Sequence, residues 1–473
     1  MSRLARALLG ASALAVVLAV AAIAVGGGEV VEAAADDRPN IVLIMTDDQF
    51  TGTTSRASMP YVGRRDDWAR FRNAMVNTAL CCPSRATAMT GLTSNHTGIE
   101  SNSETALFKG HPTIADWLDE SGYQTGFTGK YLNEFPWREP ANYIPDGWDW
   151  WAGYTGRQTY NNFTLNENGT LVEYTGRSNN SIDVVSQRAV EFLSSVSSSR
   201  PFFAFVSYNA PHAPSLPPRR YEEATVAPIP ETEAFLEQDV SDKPRWIRNA
   251  QIPSAEELRA RRTQHQRALL GIDDGVQRIF EALQVRGELD NTLVIYTTDH
   301  GVSMGEHNYV KKTCGYEVCS NVPLLVRGPG VVPGNVRSLV GNIDLTPTMA
   351  DYADIPTGEK VDGTTLRPLL ERTGRALHKG LLLSRAQGQS NKVFYGIRTK
   401  RWKYISYRRT GEAELYDLER DPDELFNLMS TKRDVWKLKA AQLEERMMEI
   451  KRTKPVYLDP DGQPERTGAR PRD

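Results

Sequence analysis

Ile41-Val42-Leu43-Ile44-Met45-Thr46-Asp47-Asp48-Gln49 carries an unbroken apolar run into two adjacent carboxylates. A continuous run of this length suits a strand buried on both faces of a sheet. Three more runs end in the same way: Thr125-Gly126-Phe127-Thr128 at Lys130, Phe202-Phe203-Ala204-Phe205-Val206 ahead of His212, and Leu293-Val294-Ile295-Tyr296 at Asp299 and His300. Helical stretches lie between them, such as Ser186 to Ser195 and Arg267 to Leu283. Strands alternating with helices predict an α/β fold whose large, mostly parallel sheet is flanked by helices. Ligands in such sheets sit beyond the carboxyl ends of the strands, where all of these polar residues fall.

A boundary is expected between Leu366 and Gly380. Beyond it Phe394 to Ile397, Trp402 to Tyr407 and Glu414 to Leu418 have the look of short antiparallel strands, with turns near Thr399 and Gly411. Trp436, Ala440, Leu443, Met447 and Ile450 then recur at helical spacing and make one apolar face, expected to dock on the small sheet. The N-terminus has the pattern of an export segment: Arg3 and Arg6, an apolar stretch from Ala7 to Val25, and Ala33-Ala34-Ala35 before Asp36. Cleavage after Ala35 gives a secreted or extracytoplasmic protein, and an uncleaved segment would tether it to the membrane. The expected organisation is 1–35 export segment, 36–375 catalytic domain, 376–455 C-terminal α+β subdomain with an antiparallel sheet and a helix, and 456–473 polar tail.

The chain has 473 residues, 40% of them hydrophobic and 24% charged, with a net charge of -3. That balance gives no case for nucleic acid, which calls for a basic face. An anionic substrate would have to be met by local cations. Asp47 and Asp48 repel one another unless a cation sits between them, so a hard, oxygen-liganded metal is expected. Asp273-Asp274, inside a helical stretch, shows that such a pair is also found without a metal. With Asp299 and His300 at another strand end the set favours calcium, with magnesium or manganese as alternatives.

Cys81-Cys82-Pro83-Ser84-Arg85, followed by Ala86-Thr87-Ala88-Met89-Thr90-Gly91, resembles the signature of the sulfatase family. The resemblance implies that Cys81 is converted by a formylglycine-generating enzyme to an aldehyde. Its hydrate would supply one hydroxyl to attack sulfur and a second to expel sulfate. Thr46-Asp47-Asp48-Gln49 and Tyr296-Thr297-Thr298-Asp299-His300-Gly301 are similar to the family's two metal motifs, Gly129-Lys130 to its central lysine, Ala210-Pro211-His212-Ala213-Pro214 to its second histidine, and Lys312 to its last lysine. The implied metal site is Asp47, Asp48, Asp299, His300 and residue 81. Many relatives have asparagine at the position of His300, and many have a histidine two residues after the central lysine, where this chain has Leu132 followed by Asn133. The C-terminal Leu415-Tyr416-Asp417-Leu418, with Asp421-Pro422 and Asn427-Leu428, also resembles sulfatase ends.

The expected roles follow from the charge to be managed. Arg85, one helical turn after Cys81, would hold the diol and a carboxylate. Lys130 and Lys312 would clamp the sulfate, and His212 would contact it or protonate the leaving oxygen. The general base should be a histidine, with no choice among them made by the motif. His96, His111, His265 and His378 are expected to be structural, with His307 close enough to the second metal motif to lie behind it. Cys314 and Cys319 make a plausible short-loop disulfide that leaves Cys82 unpaired.

Gly129-Lys130-Tyr131-Leu132-Asn133-Glu134, Asn162 to Gly169 and the double cysteine look most like the N-acetylglucosamine-6-sulfatase branch. Asn95, Asn162, Asn168 and Asn179 head N-x-S/T sequons. Phe135, Trp137, Tyr143, Trp148, Trp150, Trp151 and Tyr154 could stack on sugars, but packing of a long loop against the sheet is favoured. The expected substrate is a sulfated carbohydrate or an aryl sulfate. The alternatives are a phosphonate monoester or phosphodiester hydrolase of the same superfamily and a non-catalytic sulfated-glycan-binding protein.

Overall fold

The structure is a computed structural model that describes residues 36–374, 376–385, 391–456, 458 and 463. The export segment 1–35 and most of the tail lie outside the described residues. No helix among the described residues is long and apolar enough to cross a membrane.

The Ile41 run forms the strand Asn40–Thr46 at the centre of a ten-stranded sheet. Successive side chains point to opposite faces of a strand, so Ile41, Leu43 and Met45 enter one core and Val42 and Ile44 the other. Burying such a side chain contributes about 1.5–3 kcal/mol, which makes a strand coated on both faces the natural spine. The helix Cys81–Thr90 packs into the first core. Ser181–Ser195 and the long helix Ala255–Val285 pack into the second. Both helices begin earlier than their apolar periodicity indicates, because polar caps fix their starts. Asn180 accepts from Ile182 N–H, and Ser254 with Glu257 makes a capping box.

The sheet is mixed. Its centre, Thr292–Thr298, Asn40–Thr46, Phe202–Ser207, Gln124–Gly129 and Trp150–Thr155, is parallel. On one side Leu324–Arg327 runs antiparallel to both Thr292–Thr298 and Ala69–Met75, and Gly334–Gly341 is parallel to the latter at the edge. On the other, Asn162–Glu167 and Thr170–Thr175 add an antiparallel hairpin. Its turn is Asn168-Gly169, with φ of 51° and 91°, the pair that a two-residue hairpin requires.

The C-terminal part forms a four-stranded antiparallel sheet, Leu381–Arg385, Phe394–Arg398, Trp402–Tyr407 and Glu412–Asp417, followed by the helix Asp434–Arg452. Its first strand was not among the expected ones. Leu381, Leu383, Phe394, Ile405 and Tyr407 face the large sheet's edge at Met75 and Leu339. Leu382, Ile397, Tyr404 and Leu415 face Ala440, Leu443 and Met447 of the helix, so the helix docks on the small sheet as its apolar stripe requires. The aromatic stretch packs on itself and on the large sheet: Trp151 stacks on Phe127 with centroids 4.5 Å apart, and Tyr131 and Phe135 close around them edge-on.

Candidate active site

Sheet register brings the polar strand ends together. Met45 pairs with Ser207, Thr46 with Thr298, and Gly129 with Ser207. Four strands therefore finish flush, with Asp47, Asp48, Asp299, His300 and Lys130 just beyond them. Gly129 is required there: its φ is 98°, and a Cβ would lie 1.9 Å from the Ser207 carbonyl oxygen.

Cys81 opens a helix whose ten residues are all buried. A helix N-terminus favours negative charge. Arg85, one turn on, donates through Nε to Asp299 at 2.9 Å and through Nη1 to the Lys130 carbonyl at 2.8 Å and to Ser207 Oγ at 2.6 Å. Its Nη2 lies 3.6 Å from Asp47. Ser84 Oγ donates to the Asp299 carbonyl, and Asn342 donates to Ser84. The helix that begins at Cys81 is thereby fastened to the strand end that carries Asp299.

Asp47, Asp48 and Asp299 are all buried. Asp47 is paired with Lys130. Burial raises the Asp47 carboxyl, but Lys130, His212, Lys312 and Arg85 outweigh that and hold it well below the usual range. Asp48 takes a left-handed backbone, φ 63°, which aspartate tolerates better than most residues. Its carboxylate lies 3.1 Å from Lys312 Nζ, 3.1 Å from His300 Nδ1 and 3.5 Å from His212 Nε2. Lys312 Nζ also reaches Cys81 Sγ at 3.0 Å. Burial and Asp47 push the Cys81 thiol up, yet Lys130, Lys312 and the contact with His300 bring it down to about 7. Burial pushes Cys82 the other way, up to about 12. Burial lowers His300, but Asp299 and Asp48 lift it to about 9 despite Lys312.

Ligand atoms of Asp47, Cys81, Asp299 and His300 lie within 4.8 Å of one another, and those of Asp47, Asp48 and His212 make an overlapping set. Oxygens across a calcium ion stand about twice 2.3–2.6 Å apart, so the buried carboxylate set fits a divalent cation.

The structure brings Cys81, Arg85, Lys130, Lys312, Asp47, Asp48, Asp299 and His300 into one cluster, with His212 at its rim. The His212 side chain is 42% exposed. A cleft of about 260 Å³ lies over Asp47, Lys130 and His212, and Asn133, Gln158 and Asn209 also line it. Asn209 stands two residues past a strand end, a position that the strand-end rule would have flagged. Gln158 lies in a loop with no sequence signal.

The remaining histidines are spoken for. His96 pairs with Asp362, His378 with Asp344, His265 Nε2 accepts from Phe50 N–H, and His111 stacks on Phe108. His307 donates to Glu237 and packs on Tyr316, away from the expected metal ligands. Asp273 accepts from the Tyr61 and Val62 amides, and Asp274 pairs with Arg220, so that acidic pair is structural. Cys314 and Cys319 are disulfide-bonded, and Cys81 and Cys82 are free.

A sulfatase family model matches residues 39–355, and one described as N-sulphoglucosamine sulphohydrolase, C-terminal, matches residues 305–453. The human N-acetylglucosamine-6-sulfatase is 32% identical, covering 76% of this chain and 69% of the relative. The N-acetylglucosamine-6-O-sulfatase of Bacteroides thetaiotaomicron is 26% identical over 90% of this chain and 88% of its own. Extracellular sulfatase homologues from Drosophila melanogaster and Caenorhabditis elegans are 32% and 31% identical, and the aligned part spans only 32% and 49% of their lengths. A solved structure in complex with its substrate, D-glucosamine-2-N,6-O-disulfate, superposes with a TM-score of 0.76 at 25% identity, covering 88% of this chain and 99% of the other. The phosphonate monoester hydrolase of Agrobacterium radiobacter superposes at 0.67 and 21% identity, covering 88% and 95%, which shows a shared fold alone. With the sulfatase model matching well over half of its length, this chain belongs to the sulfatase family.

Proposed function

We propose that the protein hydrolyses sulfate esters of an amino sugar, of the N-acetylglucosamine-6-sulfate type, through a formylglycine made from Cys81 by a formylglycine-generating enzyme. The observation that carries this reading is the position of Cys81. Its sulfur begins a buried helix, 3.0 Å from Lys312 Nζ and 3.8 Å from Asp47 Oδ1, inside a carboxylate cluster. The named substrates of the relatives support the sugar class. The Cys314–Cys319 disulfide and the extracellular relatives support secretion.

Asp47, Asp48 and Asp299 would hold a divalent cation, calcium being favoured, beside residue 81 and His300, and that ion would supply Lewis-acid stabilisation of the sulfuryl charge. Arg85 fixes Asp299 and stands against Asp47, so the carboxylates stay oriented. The aldehyde takes up water to give two hydroxyls. One hydroxyl oxygen attacks sulfur as the S–O ester bond breaks, its proton passing to the Asp47 carboxylate beside residue 81 and from there to solvent. Lys130 and Lys312 hold the sulfuryl oxygens. His212 Nδ1 faces the Ala213 carbonyl at 2.8 Å and must donate to it, so Nε2 is the nitrogen free to give a proton to the leaving oxygen. His300 Nδ1 likewise meets the Gly301 carbonyl at 3.0 Å, leaving Nε2 toward residue 81, 3.5 Å from Sγ. With burial outweighed by the carboxylates around it, which raise His300 to about 9, that nitrogen donates to the diol, and His212 Nε2, having given up its proton, takes the proton of the second hydroxyl. The C=O bond re-forms and sulfate leaves.

Two measurements test the reading on the same preparation. The peptide containing residue 81 should be about 18 Da lighter than its cysteine form, one oxygen replacing sulfur and two hydrogens at the nucleophile of covalent catalysis. A nitrophenyl sulfate and N-acetylglucosamine-6-sulfate should be cleaved far faster than a nitrophenyl phosphodiester. Active enzyme with an intact thiol, or a preference for the diester, defeats the proposal.

A further inference from the structure

Asn209 is only 4% exposed, yet its amide is not idle. Its Oδ1 accepts from Tyr154 Oη at 3.1 Å and from Ser181 Oγ at 2.9 Å. The two hydroxyls also meet one another, and both residues are buried. Turning the amide over would leave at least one buried hydroxyl hydrogen without an acceptor, because only one hydroxyl can donate to the other, at a cost of about 1–3 kcal/mol. The orientation is therefore fixed, and Nδ2 is the atom left for the cleft that Asn209 shares with Asp47, Lys130 and His212. Among the described residues Nδ2 has no acceptor, and it is not sealed from solvent as an orphaned buried atom. Asn133, on the same cleft, has a side-chain oxygen that is buried without a partner. A polar lining with spare hydrogen-bonding capacity beside a lysine suits an oxygen-rich ligand.

We propose that Asn209 is a substrate-contact residue whose Nδ2 donates a hydrogen bond to a sulfuryl oxygen. This rests on the sulfatase reading and adds a neutral donor to it. The position two residues after Lys130 is Leu132, fully buried and apolar, so that segment offers no imidazole to the anion. Asn209, brought in by the neighbouring strand Phe202–Ser207, supplies a donor from the other side of Lys130. Its geometry is preorganised by the two hydroxyls behind it, which is the condition under which a neutral donor contributes most to an anionic transition state.

The test compares wild type with Asn209→Asp, which keeps the acceptor for Tyr154 and Ser181, and with Asn209→Ala, which adds no charge. Metal-loaded protein is titrated with inorganic sulfate in a calorimeter, and turnover of a nitrophenyl sulfate is followed separately. Both variants should bind sulfate on the order of tenfold or more weakly, and kcat/KM should fall on the order of 10²-fold. The melting temperature of Asn209→Asp should stay close to wild type. Wild-type sulfate affinity in either folded variant overturns the assignment, as does failure of the wild type to bind sulfate. Loss of fold in both variants makes the amide a core support and overturns it as well. If sulfate binding weakens as expected while wild type shows no sulfatase turnover, the hydrolase reading fails and the anion-donor assignment stands.

Discussion

Nζ of Lys312 stands 3.0 Å from Sγ of Cys81, on a side chain that also pairs with Asp48 at 3.1 Å. One ammonium thus touches both the proposed nucleophile and a proposed cation ligand. Lys312→Met should lower kcat/KM by about 10²–10³-fold, the usual cost of one preorganised donor. The melting temperature should change little. Steady-state kinetics on a nitrophenyl sulfate check this, and a change under threefold would remove Lys312 from the sulfate clamp.

Asp48 is held by Lys312, His300 and His212, with no partner on the outer scaffold. Asp48→Ala should leave the fold intact, nearly abolish turnover and lower the divalent metal recovered per chain. Chelation of the wild type should reproduce the loss, and added calcium should reverse it. Elemental analysis alongside the assay decides, and near-normal activity in metal-free protein would sink the assignment.

His378 donates to Asp344 at 2.9 Å, while Asp344 also accepts from the Gly341 and Thr364 amides. Burial lowers the imidazole, but the Asp344 charge and hydrogen bond more than offset it and the net shift is upward. A raised folded value means that the contribution is complete below the unfolded value of about 6.5 and is lost as pH climbs through the folded one. The melting temperature should therefore fall more steeply on the alkaline side in wild type than in His378→Gln. Parallel slopes from acid to alkaline pH would contradict this.

Lys403 is fully buried, 2.8 Å from both Glu317 and Glu424. The ammonium is not aimed along a good hydrogen-bond direction to either, so the attraction is mainly coulombic. Lys403→Met would leave the buried Glu424 carboxylate without its cationic partner, while Glu317 keeps Arg398, and breaking such a pair costs about 3–5 kcal/mol. Denaturant unfolding should show the loss, whereas stability within 1 kcal/mol of wild type, roughly the effect of a surface change, would mean that the carboxylate finds another partner.

The large sheet was legible because its central strands are coated on both faces, and a run such as Ile41 to Met45 has few other uses. The charged cluster was legible for a related reason: parallel neighbours in register finish together, so strand-end residues must meet. The mixed flanks were not, since Leu324–Arg327 reads alike in either direction, and the Asn168-Gly169 turn signals a hairpin by conformation and not by apolar pattern. Leu381–Arg385 was missed because its leucines alternate between two partners, one in each core, which looks from sequence like an unpatterned apolar patch. Asn209 stood where the strand-end rule points, but which of its two amide atoms is already engaged could be seen only in the structure.

The short disulfide loop after Lys312 is gripped from two sides: on the inner one Thr313 N–H donates to the Ala79 carbonyl and the Cys319 carbonyl accepts from Gly301 N–H. Arg385 holds Thr313, Glu414 accepts from Tyr316, and Arg398 and Lys403 hold Glu317, all from the small sheet. A protein cut short before that sheet would still possess Cys81, Arg85 and the acidic ligands on the strands of the large one. It would lack the outer of the two abutments that seat Lys312 beside them, so a segment that lends no atom to the chemistry still helps to bring the last cation into place.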